Sequence, residues 1–229
     1  MKFIIAGVGP GDPDLVTVGA LKALKDADLV LVPRSHAERA SVAGEILKAH
    51  LPDLKTVPLV FPMTESAQQR DSQLLQELKA LKPRWQNALN VVLPVIGDST
   101  LYATGFYLYG LWKKMEPRLE LRLIPGISAH NFAASRVGAF LAMGEQIFTV
   151  IPGTADRDRI VAALKSTDSA ALYKPSALRG ALKETVEAAG AWKKMLRIDR
   201  AGLPDEKIFE GPAALEPAKE YLSILLLWK

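Results

Sequence analysis

Ala6-Gly7-Val8-Gly9-Pro10-Gly11-Asp12-Pro13-Asp14-Leu15-Val16-Thr17 is the stretch whose reading sets the fold class. It ends a short β-rich run, Phe3 to Val8, and leads into apolar residues at Leu15, Val18, Leu21 and Leu24. That spacing predicts a helix, with Thr17 as its N-cap. Strand, glycine-rich turn and helix in that order open an α/β unit, in the setting of a dinucleotide fingerprint. The chemistry does not suit one. The third glycine position is Asp12, where pyrophosphate approach and close helix packing need a small neutral residue. Pro10 and Pro13 lack the backbone N–H groups that a phosphate would use. Glycines alone would make this a tight βα turn with no ligand; a second motif at another strand end favours a functional turn.

Outward from the turn, strands and helices alternate. Ala27 to Val32 reads as a strand closed by Pro33-Arg34, Val42, Ile46 and Leu47 mark a helix, and Thr56 to Phe61 is another strand. Gln68 to Leu89 reads as one or two helices with the break at Pro83. Val91 to Ile96 is a continuous apolar run, as in a strand buried on both faces, and Tyr102 to Met115 is helical. This alternation predicts a parallel sheet. After Glu116-Pro117-Arg118 the pattern restarts with a strand from Leu119 to Ile124 and a helix from Ser128 to Val137. Strands at Gln146 to Ile151 and Ala170 to Tyr173 follow, then a helix from Ser176 to Ala188 capped by Ser176. Short strands at Lys194 to Asp199 and Lys207 to Glu210 precede a Leu- and Ile-rich run from Tyr221 to Trp228. The richer strand content of the second half predicts two domains, 1–116 and 117–229.

Composition narrows the classes of function. The chain has 229 residues, 49% hydrophobic and 24% charged, which excludes a disordered polymer. It has no cysteine, so disulfide scaffolds, thiolate nucleophiles and cysteine-based zinc sites are out. His36, His50 and His130 form no His-x-x-x-His pair, and no metal site is expected. A net charge of +4 is a mild excess that suits an acidic small molecule as readily as nucleic acid. Lys193-Lys194 beside Trp192 reads as a solvated junction, and no nucleic-acid partner is expected. The apolar start is too short for a secretory signal and no run matches a membrane span, so a cytoplasmic, soluble chain is the expectation.

Three further strand ends carry motifs. In Gly97-Asp98-Ser99-Thr100-Leu101-Tyr102-Ala103-Thr104, Asp98 suits a ligand hydroxyl or ammonium group, and equally Asp98 or Ser99 suits the cap of the next helix. In Pro125-Gly126-Ile127-Ser128-Ala129, Gly126 permits backbone approach and Ser128 can cap a helix. His130 and Asn131 lie just beyond, and a lone His at a helix start reads as structural. Tyr173-Lys174-Pro175-Ser176 is the fourth, where Lys174 is solvated unless it meets a ligand.

Together these motifs are more specific than any one alone. The opening from Ala6 to Thr17, with Ala20-Leu21, Leu24 and Ala27-Asp28, closely resembles that of the tetrapyrrole methylase family. Gly97-Asp98 is similar to the family's Gly-Asp-Pro motif, with Ser99 where Pro is usual, and Pro125 to Ala129 to its Pro-Gly-[Ile/Val]-[Ser/Thr]-[Ser/Ala] motif. Phe61-Pro62-Met63, Leu101 to Thr104, Gly126 to Gly144, Tyr173-Lys174 and Tyr221-Leu222-Ser223 look like the branch that methylates C20 of precorrin-2 or cobalt-factor II. The Arg-Gly-Gly-Glu stretch of uroporphyrinogen methylases is absent.

The resemblance implies an α/β fold of two domains with mixed sheets and flanking helices, the class III S-adenosylmethionine (SAM) methyltransferase fold. It implies SAM in the interdomain cleft, S-adenosylhomocysteine as the product left behind, and a homodimer. Carried over by position, Pro10, Ile96, Gly97, Asp98, Leu101, Ser128, Ala129, Lys174 and Ala201 would touch SAM. Gly9, Gly11, Asp12, Arg34, His36 and Arg39 would face the polycarboxylate tetrapyrrole, with Arg34 leading as a strand-end cation. No residue declares itself as a proton-abstracting base. Another tetrapyrrole methylase acting at a different ring carbon is the near alternative. The distant one is an NADP-dependent reductase, with Arg34 on a 2′-phosphate.

Overall fold

A computed structural model describes residues 1–34, 41–62, 64 and 66–229. The chain divides into two compact units, Met1–Ser128 and Ala129–Lys229. The first is built on five strands, β1 (Lys2–Gly7), β2 (Leu29–Arg34), β3 (Val57–Val60), β4 (Asn90–Val95) and β5 (Glu120–Ile124). Their order is β3-β2-β4-β1-β5 and every pairing is parallel. Helices α1 (Val18–Lys25) and α2 (Val42–Lys48) pack on one face, and α3 (Ala67–Ala80), α4 (Lys82–Trp85) and α5 (Gly105–Met115) on the other.

The alternation along β1 shows why both faces are covered. Phe3 and Ile5 pack with Trp85, Leu108 and Trp112, while Ile4 and Ala6 pack with Ala20, Leu24 and Ile46. A strand apolar on both faces has to be buried on both. The Trp112 ring lies 5.1 Å from both Phe3 and Trp85, and Trp85 Nε1 donates to Leu78 O at 2.9 Å, so the buried indole of Trp85 is satisfied. Because all five strands run the same way, the loops leaving β1, β2, β4 and β5 share one edge of the sheet, where parallel sheets place their ligands.

The second unit has its own sheet of β6 (Phe148–Pro152), β7 (Ser169–Tyr173), β8 (Lys194–Asp199), β9 (Lys207–Glu210) and β10 (Ser223–Trp228). The order is β6-β7-β10-β8-β9, with β6–β7 parallel and the rest antiparallel. Its helices are α6 (Ala129–Arg136), α7 (Arg157–Lys165) and α8 (Leu182–Glu187). Ile160, Leu164, Leu172, Val186, Leu225 and Leu227 form its core. Arg197 and Asp199 are buried as an ion pair, Nε to Oδ1 3.2 Å, beneath the Phe209 ring.

Four sequence expectations shift. The 116/117 boundary moves to 128/129, because Glu120–Ile124 pairs with β1 from Lys2↔Glu120 to Ala6↔Ile124 and so completes the first sheet. Leu15, the first apolar residue of the helical spacing, belongs instead to a separate 3-10 turn, Pro13–Leu15, capped by Asp12, while α1 starts at Val18 with Thr17 as its cap, as expected. Helix α7, between the strands expected at 146–151 and 170–173, was absent from the sequence reading. Ser176 is not a helix cap: Pro175 enters a 3-10 segment, Pro175–Ala181, so Lys174 holds the N-cap position and α8 begins only at Leu182. Among the described residues no helix is long and apolar enough to cross a membrane.

Candidate functional site

The turns after β1, β4 and β5 interlock. Val8 N–H donates to Val95 O at 2.9 Å, and Gly97 N–H donates to Gly9 O at 2.7 Å, closing a short antiparallel bridge beyond the parallel ladder. The third turn meets the other two at Gly126. A Cβ built on Gly7 would lie 2.6 Å from both Gly126 N and Gly97 O, and one on Gly126 would run into Gly97 O and the Gly7 backbone. Three backbones cross here at distances no side chain allows, which is the physical reason for Gly7 and Gly126. Gly97 is glycine for a different reason: its φ is +75°, and a Cβ there would meet nothing nearer than Ile127 O at 4.0 Å.

Asp98 ties the crossing together. Its Oδ2 accepts the Gly126 N–H at 2.8 Å, and its Oδ1 accepts the Thr100 N–H at 2.8 Å and the Thr100 hydroxyl. Partial burial by itself raises this carboxyl, but hydrogen bonds from Thr100, Gly126 and Ser99 outweigh that and hold it below the usual 3.8. Asp98 is therefore ionised and half-buried at the strand edge. It caps no helix, since α5 starts at Gly105 with Thr104 before it and no side-chain cap bond. Ser99 is buried and its Oγ has no hydrogen-bond partner among the described residues. Tyr102, next to the expected contact Leu101, takes a left-handed φ of 51°, and burial raises its phenol.

This edge does not suit a dinucleotide. Pyrophosphate binding needs a helix N-terminus directly after the glycine turn, whereas α1 starts at Val18 and Asp12 Oδ1 is engaged with Asp14 N–H at 3.0 Å. The groups present are acceptors, an ionised carboxylate and carbonyls, and these fit a ligand bearing an ammonium, a sulfonium and ribose hydroxyls. SAM has that chemistry.

The described site residues fall in two sets. Gly9, Pro10, Gly11, Asp12, Ile96, Gly97, Asp98, Leu101 and Ser128 lie in the loops that leave β1, β4 and β5 in the first unit. Gly9, Pro10, Gly11 and Gly97 are buried, while Ile96, Asp98, Leu101 and Ser128 keep accessible surface. Arg34 ends β2 on the same edge, two strand spacings or roughly 10 Å from β1, beside a cavity of about 150 Å³ lined also by Ser41, Glu45, Lys48 and Thr56. His36 and Arg39 lie outside the described residues. In the second unit Ala129 opens α6, Lys174 follows β7 with φ 55°, and Ala201 follows β8 and is buried. Sequence reasoning missed the Asp98–Gly126 tie and the hydrogen bond between His130 and Tyr173.

Comparison with known proteins agrees with this geometry. A family model described as tetrapyrrole (corrin/porphyrin) methylases matches residues 2–216. The chain is 26% identical to a precorrin-2 C(20)-methyltransferase of a Sinorhizobium species over 242 residues, 100% of this chain and 96% of the relative. It is 32% identical over 169 residues to a probable cobalt-precorrin-2 C(20)-methyltransferase of Methanocaldococcus jannaschii, 70% of this chain and 67% of that one. Uroporphyrin-III C-methyl transferase from Thermus thermophilus, solved with S-adenosyl homocysteine, shares the fold at a TM-score of 0.68 and 19% identity, covering 100% of this chain and 98% of that one. With the family model spanning nearly its whole length, the chain belongs to the tetrapyrrole methylases, SAM-dependent methyltransferases.

Proposed function

We propose that the chain methylates C20 of precorrin-2 or its cobalt-bearing counterpart in cobalamin biosynthesis. The observation that carries this reading is the interlocked edge at Gly7, Gly97 and Gly126 with the ionised Asp98 at its centre. Its ligand chemistry fits SAM, and the two relatives named above carry the names precorrin-2 C(20)-methyltransferase and probable cobalt-precorrin-2 C(20)-methyltransferase. When bound, SAM supplies a methyl group already activated on a sulfonium.

The protein's part is then largely placement. Effective molarity from correct orientation accounts for much of the barrier in such a transfer. Asp98 accepts from an ammonium or ribose hydroxyl while its tie to Gly126 N–H keeps the two loops in register. The backbone at Gly97 and the surfaces of Ile96, Leu101, Ser128 and Ala129 orient the donor, as do the groups around Lys174 and Ala201. Arg34 orients the substrate through its carboxylates. Gly9, Gly11 and Asp12 shape the floor of the substrate side. The protein works as a homodimer, which light scattering of the purified chain checks.

The test is a product analysis. Purified protein with SAM is offered metal-free precorrin-2 and, separately, the cobalt-bearing macrocycle, and the products are weighed and mapped by carbon-13 labelling of the methyl group. A single new methyl at C20 on either substrate supports the reading, and the preferred substrate names the branch. A methyl at another ring carbon, or none on both, overturns it.

A further inference from the structure

In the second unit, His130 and Tyr173 form a contact that the methyl-transfer reading does not use. Tyr173 Oη lies 2.7 Å from His130 Nδ1 and also 3.4 Å from the His130 backbone nitrogen. The backbone N–H donates to Oη, and the hydroxyl shares a second hydrogen bond with Nδ1, whose direction follows the imidazole tautomer. The N–H of His130 is one of those a helix leaves without an internal partner at its start, so the tyrosine also caps α6. The Phe148 ring packs on the imidazole at 5.4 Å and limits its rotation.

Tyr173 is fixed on its other sides as well. Its carbonyl accepts the Gly153 N–H at 2.6 Å, and its backbone is in register with Ile224 of β10. The next residue, Lys174, has φ 55° and ψ 50°, a conformation that costs a non-glycine residue and persists only where the surroundings impose it. A Cβ on Gly153 would lie 2.6 Å from Lys174 O, so the backbone of residue 174 is pressed from that side too. The His130–Tyr173 bond thus joins the first turn of α6, where Ala129 sits, to the strained end of β7, where Lys174 sits.

We propose that His130 and Tyr173 are positioning residues for the methyl donor, holding α6 and the end of β7 at the spacing its binding requires. The proposal rests on the assignment of Ala129 and Lys174 to the cofactor. Neither side chain is assigned contact with the donor or the substrate. Their effect passes through the backbone of Ala129 and Lys174.

The experiment measures S-adenosylhomocysteine affinity by calorimetry, KM for SAM, kcat and thermal midpoint for the wild type, Tyr173→Phe, His130→Ala and His130→Asn. Tyr173→Phe removes the shared hydroxyl and keeps the ring. His130→Asn keeps an amide, able to donate or accept, near the Nδ1 position and is the rescue. Loss of the Nδ1–hydroxyl bond should weaken product binding and raise KM for SAM roughly tenfold in His130→Ala, and at least as much in Tyr173→Phe, which also loses the bond to the His130 N–H. In the same variants kcat at saturating SAM should change less than threefold or so, and His130→Asn should recover most of the affinity. Variants that lower the thermal midpoint but bind within about twofold of wild type would make the pair merely structural and overturn the proposal. If Tyr173→Phe fails to fold, His130→Ala against His130→Asn decides alone. A wild type that binds no S-adenosylhomocysteine would sink the cofactor assignment, and the proposal with it; wild-type binding with unaffected variants sinks the proposal only.

Discussion

At the scale of single residues, neighbours in one turn carry opposite energetic signs. Asp98→Ala strands the part-buried Gly126 N–H and should cost about 1–3 kcal/mol in urea unfolding, with loss of S-adenosylhomocysteine binding. Ser99→Ala removes a buried hydroxyl that has no partner among the described residues, and should be neutral or slightly stabilising in the same measurement. The Asp98 contribution also has a pH signature. Its folded carboxyl lies below 3.8, so the stabilisation is complete above that value and disappears as pH falls through the folded value. The stability gap between wild type and Asp98→Asn should therefore be full at pH 6 and shrink below pH 3.8; a gap unchanged at pH 3 would refute the charged tie. Gly126→Ala, which forces a methyl into the Gly97 and Gly7 backbones, should cost at least about 2 kcal/mol. The sequence made Gly97-Asp98 legible as a candidate site and left its role open between ligand contact and helix cap. The partner that settles the structural half of its role, Gly126, stands 28 residues away. Local spacing carries no sign of such a partner, and the same holds for His130 and Tyr173, 43 apart.

At the scale of elements, legibility followed burial pattern. Strand β4 is buried along most of its length and reads as one apolar run, and the helical spacing after Thr17 survives as α1 with Thr17 Oγ1 accepting Ala20 N–H at 3.2 Å. Helix α7 escaped because only Ile160 and Leu164 are buried in a run of charged residues. Its signal was present: Asp156 as cap, then Ile160 and Leu164 four apart on one face. The domain boundary escaped because Pro117 ends a helix without ending a sheet. Two substitutions test the account of α7. Asp156→Ala removes the acceptor for Asp158 and Arg159 N–H and should cost about 1 kcal/mol. Leu164→Ala empties a fully buried site and should cost about 2–5 kcal/mol. Since α7 holds none of the proposed site residues, S-adenosylhomocysteine affinity of the folded Asp156→Ala protein should match wild type, and a large drop would place α7 in the site.

At the scale of the whole molecule, two kinds of ligand recognition should separate by their response to salt. The chain carries a net charge of +4, and its proposed substrate is a polycarboxylate. Attraction between exposed charges is screened over roughly 8 Å at physiological ionic strength, so it weakens as salt is added. Arg34 stands on the strand-end edge, half-buried, near Lys48. Substrate KM should accordingly rise several-fold between 50 and 500 mM salt on general electrostatic grounds. Product binding at the half-buried Asp98 and the backbone turns should change much less. Arg34→Ala should raise substrate KM by roughly tenfold at low salt, the value of one charge-assisted contact, and leave S-adenosylhomocysteine affinity within twofold. It should also flatten the salt dependence of substrate KM, because the lost contact is the one being screened. Equal losses for substrate and product would move Arg34 from substrate recognition to support of the sheet edge. An unchanged substrate KM would remove it from recognition altogether and pass the role to His36 or Arg39.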